Sequence, residues 1–187
     1  MRRELVARAS GGSHDAFAEL VEGSIDRQYA VATLILRDRH LAEDAVQEAL
    51  VAAWRDLRAL RDPDAWDAWL YRLTVRACYR QANKVRRRST VEFIDVADPE
   101  AGPTTDDTHG VVERDRMERH LGRLPIDQRA VLVLHFYTGR PLTEVAAVLD
   151  IPVGTAKSRL HRGLESLRAA MQGEPEARFG RNQEQTA

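Results

Sequence analysis

Six side chains in the last quarter of the chain have the chemical types that bind DNA. Between Thr155 and Arg162 the sequence places hydroxyl, ammonium, imidazole and guanidinium groups close together. Such groups donate hydrogen bonds to phosphates and to the edges of bases. The candidates are Thr155, Lys157, Ser158, Arg159, His161 and Arg162.

The elements that must position these groups lie between Leu142 and Leu167. Apolar spacing predicts a first helix with Thr143 as its N-cap, and Pro152 and Gly154 mark a turn. At about 100° per residue, one face of the second helix is buried and the opposite face points outward. The expected inward residues are Ala156, Leu160, Leu164 and Leu167, and the outward ones, called the reading face below, are Thr155, Ser158, His161, Arg162 and Glu165. The pattern favours a DNA-binding helix-turn-helix, and the alternative is an αα-hairpin with a solvated charged face.

A second basic feature recurs at every fourth residue of an earlier helix. Asp62 is expected to be the N-cap of this helix and Pro63 its first residue. The basic stripe comprises Arg72, Arg76, Arg80, Lys84 and Arg88, and the residues expected to be buried are Trp66, Trp69, Leu70, Leu73 and Ala77. Like charges four residues apart destabilise a helix, so a polyanion lying along the stripe would stabilise it. A merely solvated stripe is the alternative, as is base stacking by Trp66 or Trp69 instead of burial.

The helix predicted from Leu41 to Leu57 carries acid and amide groups opposite its apolar side. This acidic face comprises Glu43, Asp44, Gln47 and Glu48. Neighbouring acids on successive turns are mildly destabilising. The face is therefore either an ordinary solvated surface or a docking surface for a basic partner.

At 187 residues the chain could be one domain or two small ones, and its net charge of -1 argues against a protein that simply coats nucleic acid. From Val91 to Glu113 there are seven acids and no Lys or Arg, with many Pro, Gly and Thr residues, which predicts a flexible acidic linker. The expected all-α organisation is an N-terminal lead (1–12), a first domain (13–88), the linker (89–113), a second domain (114–171) and a polar, disordered tail (172–187).

Several classes of function find no support in the composition. No apolar stretch is long enough for a signal peptide or a membrane helix, so the expected location is the cytoplasm. The single cysteine, Cys78, excludes an internal disulfide and is expected to be a small packing residue. The sequence offers no metal-ligand spacing, no catalytic constellation and no cofactor motif.

Three blocks of sequence, in order, resemble the extracytoplasmic-function (ECF) sigma factors of the sigma-70 family. They are LAEDAVQEALVAAWRDL (41–57), DAWLYRLTVRACYRQANKVRRR (67–88) and LPIDQRAVLVLHFYTGRPLTEVAAVLDIPVGTAKSRLHRGLESLR (124–168). The chain departs from the family pattern at Arg76, often Asn, at Arg80, often Asp, at Leu142, frequently Ser, and at Asp150, usually Gly.

The resemblance implies a sigma subunit that binds core RNA polymerase through the β′ clamp helices and the β flap, and is monomeric when free. Docking on the clamp helices is implied for Asp44, Gln47, Glu48, Leu50 and Trp54. Melting and holding of the downstream (minus-10) element, with a flipped base beside the turn from Leu57 to Asp64, is implied for Arg61, Asp62, Arg72, Arg76, Arg80, Lys84, Arg87 and Arg88. Reading of the upstream (minus-35) element is implied for Thr155, Lys157, Ser158, Arg159, His161 and Arg162. An anti-sigma factor is an implied further partner, and the linker would thread the polymerase channel.

Two other classes of protein remain as alternatives. A helix-turn-helix regulator would share residues 142–167 but would usually dimerise and carry a ligand or receiver domain. A nucleic-acid enzyme would need a carboxylate or metal cluster, for which the candidates are Asp62, Asp64 and Asp67.

Overall fold

The structure, a computed structural model, describes residues 1–91 and 119–173, without the side chains of 89–91 and 173. All regular elements in these two ranges are helical. The α-helices are α1 (Arg2–Ser10), α2 (His14–Glu22), α3 (Ile25–Leu36), α4 (Arg39–Asp56), α5 (Trp66–Val91), α6 (Ile126–Leu132), α7 (Leu142–Leu149) and α8 (Val153–Gly173). Residues 119–123 are also helical. Most of the predicted linker, and the tail from residue 174 onward, lie outside the described residues.

The N-terminal domain, α1 to α5, is built around the long helix α5. Its apolar face buries Trp66, Leu70 and Val75, each at most 1% exposed. Two core clusters meet there: one receives residues of α3 and α4, and the other receives residues of α1 and α2. Two polar groups that reach this core are paired, because Thr74 Oγ1 donates to Gln28 Oε1 at 2.8 Å and Trp66 Nε1 donates to Ser24 Oγ at 3.3 Å.

The C-terminal domain consists of residues 119–123 and α6 to α8. Between α6 and α7 the chain forms a π-helical turn, Val133–Tyr137, which leaves Phe136 and Tyr137 exposed. Helix α7 ends at Asp150, whose backbone is left-handed (φ 58°, ψ 48°). Asp adopts this conformation more readily than most residues, so it can end the helix without a glycine.

The two domains share one apolar core. Val31 and Ile35 of α3 and Val75 of α5 lie in the same buried cluster as apolar residues of α6, the π turn and α7, namely Ala130, Val131, Val133, Leu134, Val145 and Val148. We call this packing of the two domains the closed arrangement.

Arg129 crosses the domain interface beneath this shared core. Its guanidinium donates to the Ile35 carbonyl at 2.7 Å and, within its own domain, to the carbonyls of Gly122 and Leu124 at 3.0 and 2.8 Å. Burial, assisted by the charge of nearby Arg37, lowers the pKa of Arg129 to about 10. The side chain is therefore still charged at neutral pH, and the three carbonyls are the groups of the described residues that stabilise its buried charge.

Most local predictions agree with these elements, and one is wrong. Asp62 caps the 3₁₀ turn Pro63–Ala65 that leads into α5, with Pro63 at its first position, as expected. Thr143 is not the N-cap of α7: the helix begins at Leu142, and the Pro141 carbonyl accepts from the amides of Glu144 and Val145. Proline favours the extended backbone that precedes a helix, so α7 begins directly after Pro141 and not after Thr143. The expected N-terminal lead contains α1, whose helix the sequence analysis did not anticipate.

Close packing of α8 on α6 yields a prediction at Gly163. A Cβ at this residue would lie 2.8 Å from Leu132 Cδ1 and 3.6 Å from Gln128 Cβ. We expect Gly163→Leu to lower the free energy of unfolding by about 1–3 kcal/mol, although Leu is the better helix former. Urea unfolding followed by circular dichroism measures this loss.

Ala169→Leu, at an exposed position of the same helix, is the matched control and should leave the unfolding midpoint nearly unchanged. Equal midpoints for the two variants would contradict the close approach of α8 and α6.

Candidate nucleic-acid and polymerase interfaces

Helix α8 divides into the two faces that its sequence predicts. Ala156, Gly163 and Leu167 are buried, whereas Ser158, His161, Arg162 and Glu165 of the reading face are exposed and Thr155 is half-buried. Lys157 is exposed as well. The turn before α8 places its first residue at Val153, so the reading face begins in the first helical turn, where a helix-turn-helix contacts bases.

Three of the six upstream candidates already bond to neighbouring groups. Arg159 Nε lies 3.1 Å from Asp127 Oδ2 on α6, and His161 Nε2 lies 3.2 Å from Glu165 Oε1. Ser158 Oγ donates to the Thr155 carbonyl at 3.0 Å. Arg162 and Lys157 are exposed and are the most accessible cations of the set.

The basic stripe runs along α5 as predicted, but its first three arginines are bonded to other parts of the protein. Arg72 Nη2 donates to the Ala147 carbonyl of α7 at 2.8 Å, and Arg76 Nη2 lies 3.3 Å from Asp150 Oδ2. Arg80 Nε lies 2.6 Å from Glu48 Oε1. Lys84 and Arg88, together with Arg87, are exposed at the far end of the helix.

A cleft of about 520 Å³ lies beside the turn at which the flipped base was expected. The turn and the start of α5 form one wall, with Arg61, Asp62, Trp69 and Arg72. Helix α7 forms the other, together with Arg140, two residues before its start. Trp69 is half-buried here, whereas Trp66 is fully buried in the core and cannot stack on a base in this arrangement. In the closed arrangement the C-terminal domain therefore covers the side of the turn that faces Trp69.

The acidic face of α4 is exposed at Glu43, Asp44 and Gln47. Glu48 is half-buried between Arg80 and Gln81, since its second oxygen accepts from Gln81 Nε2 at 3.1 Å. Val51, one turn after Gln47, is 64% exposed, and it adds an apolar contact site that the sequence analysis did not single out.

The two apolar docking candidates, Leu50 and Trp54, are both half-buried. Leu50 packs against both core clusters. Trp54 stacks on His14 with ring centroids 4.4 Å apart and meets the edge of Phe17. These two side chains hold α4 in place and leave only part of their surface for a partner.

The three carboxylates considered for an enzyme each have a structural role. Asp62 accepts from the Asp64 amide at 3.0 Å, Asp64 accepts from Nε and Nη2 of Arg3, and Asp67 lies 2.8 Å from Arg2. The side-chain hydrogen bond from Arg3 lowers the pKa of the Asp64 carboxyl. No cluster of metal-ligating side chains occurs in residues 1–91 and 119–173.

Burial keeps Cys78 out of any reaction. It is fully buried, and desolvation raises the pKa of its thiol to about 12, so the thiol is protonated at neutral pH. None of the helices in the described part of the chain has both the length and the apolar composition needed to cross a membrane.

Family comparisons match the same two domains. The Sigma-70 region 2 model matches residues 20–88, and the Sigma-70, region 4 model matches residues 114–167. The chain is 31% identical over 159 residues to the ECF RNA polymerase sigma factor SigM of Mycobacterium tuberculosis, which covers 85% of this chain and 79% of SigM. It is 31% identical over 175 residues to the ECF RNA polymerase sigma-E factor of Escherichia coli, with 87% and 90% coverage.

Two solved structures share this architecture. CnrH, in complex with the cytosolic domain of CnrY, aligns with a TM-score of 0.68 and 26% identity over 93% of this chain and 99% of CnrH. RpoE of Bartonella quintana, in complex with the anti-sigma factor NepR, aligns with a TM-score of 0.69 over 85% of this chain and 98% of that chain, and at 23% identity this likeness shows the fold.

The order of the two matched regions, the all-helical fold and the identity to the curated relatives agree with one another. The chain belongs to the extracytoplasmic-function sigma factors, and it is an alternative sigma factor that directs RNA polymerase to promoters.

Proposed function

We propose that the chain divides this task between three surfaces: the acidic face of α4 binds core polymerase, the basic stripe with the turn before α5 opens and holds the minus-10 element, and the reading face of α8 selects the minus-35 element. The observation that carries the proposal is that Arg162 and Ser158 are exposed on one side of α8 while Ala156 and Leu167 are buried on the other. The boundaries proposed for the two domains are 13–88 and 114–171.

The chemistry of the three surfaces fits this division. A guanidinium on an exposed helix face can donate two hydrogen bonds to a guanine edge, which Arg162 is best placed to do. Holding a melted strand requires backbone neutralisation and a pocket. The basic stripe offers the positive charge, and the turn before α5 with Trp69 offers the wall of the cleft that belongs to the N-terminal domain alone. These roles need no covalent chemistry and no cofactor, and we propose that the protein acts as a cytoplasmic monomer when it is not bound to polymerase.

An anti-sigma factor is the further partner that we propose. The aligned CnrH structure is a complex with the cytosolic domain of CnrY. In the closed arrangement described above, the acidic face and the reading face both remain accessible, so a binding protein that blocks both would silence this chain.

Core binding is tested by reversing charge on the acidic face. Asp44→Arg with Gln47→Arg adds three positive charges at two exposed positions while leaving the Glu48–Arg80 pair intact. We expect affinity for core polymerase to fall roughly tenfold or more, since like charges across an interface are strongly unfavourable. Titration of labelled chain with purified core polymerase measures this change.

Glu19→Arg with Glu22→Gln is the matched control, because it adds the same charge at the same spacing on exposed positions of α2. The control should bind core polymerase as the unmodified chain does. If both double variants bind equally well, α4 is not the docking surface.

Promoter reading is tested at Arg162. Run-off transcription with purified core polymerase first identifies promoters that depend on this chain. At those promoters we expect Arg162→Ala to lose about 1–3 kcal/mol of discrimination at one base pair of the minus-35 element, as removal of a bidentate guanine contact does. The measurement is initiation from a set of promoters with each base at each upstream position.

Arg168→Ala removes the same charge from an exposed position of the same helix and should lower initiation evenly, without changing the base preference. If Arg162→Ala leaves the promoter ranking unchanged, Arg162 does not read a base of the minus-35 element.

A further inference from the structure

Two oppositely charged residues meet across the domain interface. Arg76 lies on α5, and Asp150 is the C-cap of α7. They are 74 residues apart in sequence, yet Arg76 Nη2 lies 3.3 Å from Asp150 Oδ2. The two side chains therefore form an ion pair between the domains.

The second polar contact at this edge uses the end of the same helix. Arg72, one turn before Arg76, donates to the Ala147 carbonyl at 2.8 Å. The last four carbonyls of a helix have no partner within the helix, and the C-terminal end carries partial negative charge. The carbonyl of Ala147 and the carboxylate of Asp150 thus present two acceptors, one of them anionic, to adjacent arginines of the basic stripe.

A sugar-phosphate backbone would present the same chemistry to the same arginines. Phosphate oxygens are anionic acceptors to which guanidinium groups bind, and the proposed function assigns Arg72 and Arg76 to the minus-10 strand. Each guanidinium bonds to its α7 acceptor through Nη2. A phosphate that binds these same Nη2 atoms must displace α7, so binding through them is exclusive.

We propose that the C-terminal end of α7 is an intramolecular ligand of the basic stripe, and that it competes with single-stranded DNA for Arg72 and Arg76. This inference rests on the proposed role of the stripe in holding the melted strand. The apolar core shared by the two domains holds α7 within reach of α5, and the two polar contacts make the closed arrangement sensitive to polyanions. Lys84 and Arg88 remain exposed, so a DNA strand can first bind there and then displace α7 from the rest of the stripe.

The strength of the Arg76–Asp150 ion pair determines how far its loss shifts the equilibrium between the closed arrangement and an open form in which α7 has left α5. Both partners are partly solvated, with the side chains of Arg76 and Asp150 51% and 75% exposed. Pairs of this kind change an equilibrium by a factor of about 1.4 to 5 at moderate ionic strength. The contribution is enough to shift the balance between closed and open forms but not to prevent opening.

Single-molecule Förster resonance energy transfer on the full-length chain, without polymerase, measures the fraction of molecules in the closed arrangement. Dyes are attached at Glu22→Cys on α2 and Ser166→Cys on α8, both exposed positions. Cys78 is fully buried with a thiol pKa of about 12, so it does not compete for the dyes.

The central variant is Asp150→Asn, which removes the charge but keeps a side chain that tolerates the left-handed backbone. We expect the ratio of open to closed chains to rise about 1.4- to 5-fold. The affinity for a short fluorescein-labelled oligothymidylate should rise by a similar factor. On the unmodified chain the same oligonucleotide should lower the transfer efficiency as it binds. Asp56→Asn, which removes a partly exposed charge paired with Arg55 within the N-terminal domain, is the matched control and should change neither quantity.

Exchanging the two charges separates a specific pair from a general loss of charge. Asp150→Arg alone should open the chain, and the double variant Asp150→Arg with Arg76→Asp should close it again while binding the oligonucleotide more weakly than the unmodified chain. Unchanged transfer efficiency in both Asp150 variants, or binding of the oligonucleotide without opening of the unmodified chain, would overturn the proposal. Because no polymerase is present, this result is independent of the transcription experiments that test the proposed function.

Discussion

Burial of one side of α5 is the constraint on which the other features depend. The helix places Trp66, Leu70 and Val75 at most 1% exposed in the core, and each such burial contributes on the order of 1.5–3 kcal/mol for a large apolar side chain. With that side fixed, the 3.6-residue period determines where every other residue of α5 points. Arginines spaced by four residues must then form a stripe along the flank of the helix. The surface proposed to hold DNA thus follows from the packing of the core.

A single charge pair connects two of the proposed surfaces. Arg80 of the basic stripe lies 2.6 Å from Glu48 of the acidic face, and Gln81 bonds to the second oxygen of the same carboxylate. The pair anchors α4 to α5 in addition to their apolar contacts. The charge of Arg80 is thereby offset by Glu48. The acidic face accordingly loses one free carboxylate and retains Asp44, Gln47 and the apolar Val51 as its accessible part.

Periodicity predicted the helices and their faces, because a helix buries residues by a local rule that the sequence displays directly. The two faces of α8, the stripe on α5 and the Asp62 cap were all accessible to this rule. Short segments were harder: α1 has nine residues, too few for a clear pattern, and the N-cap of α7 is Pro141 and not the predicted Thr143. The α7 acceptors of Arg72 and Arg76 and the Ile35 carbonyl bound by Arg129 could not be predicted, since each lies in the other domain and depends on how two independently predicted units pack. Sequence reasoning identified the cations of the site but not the acceptors that they bind in the closed arrangement.

The shared core has a consequence for the way the molecule unfolds. All three tryptophans, Trp54, Trp66 and Trp69, lie in the N-terminal domain, whereas both domains contain helices. Tryptophan emission therefore reports on one domain, and circular dichroism reports on both. Coincident transitions by these two signals mean that the apolar contact between α3, α5 and the C-terminal domain couples the halves into one cooperative unit. Separated transitions measure the stability that each half has alone, so the intrinsic spectroscopy of the unlabelled protein records how strongly its two domains are joined.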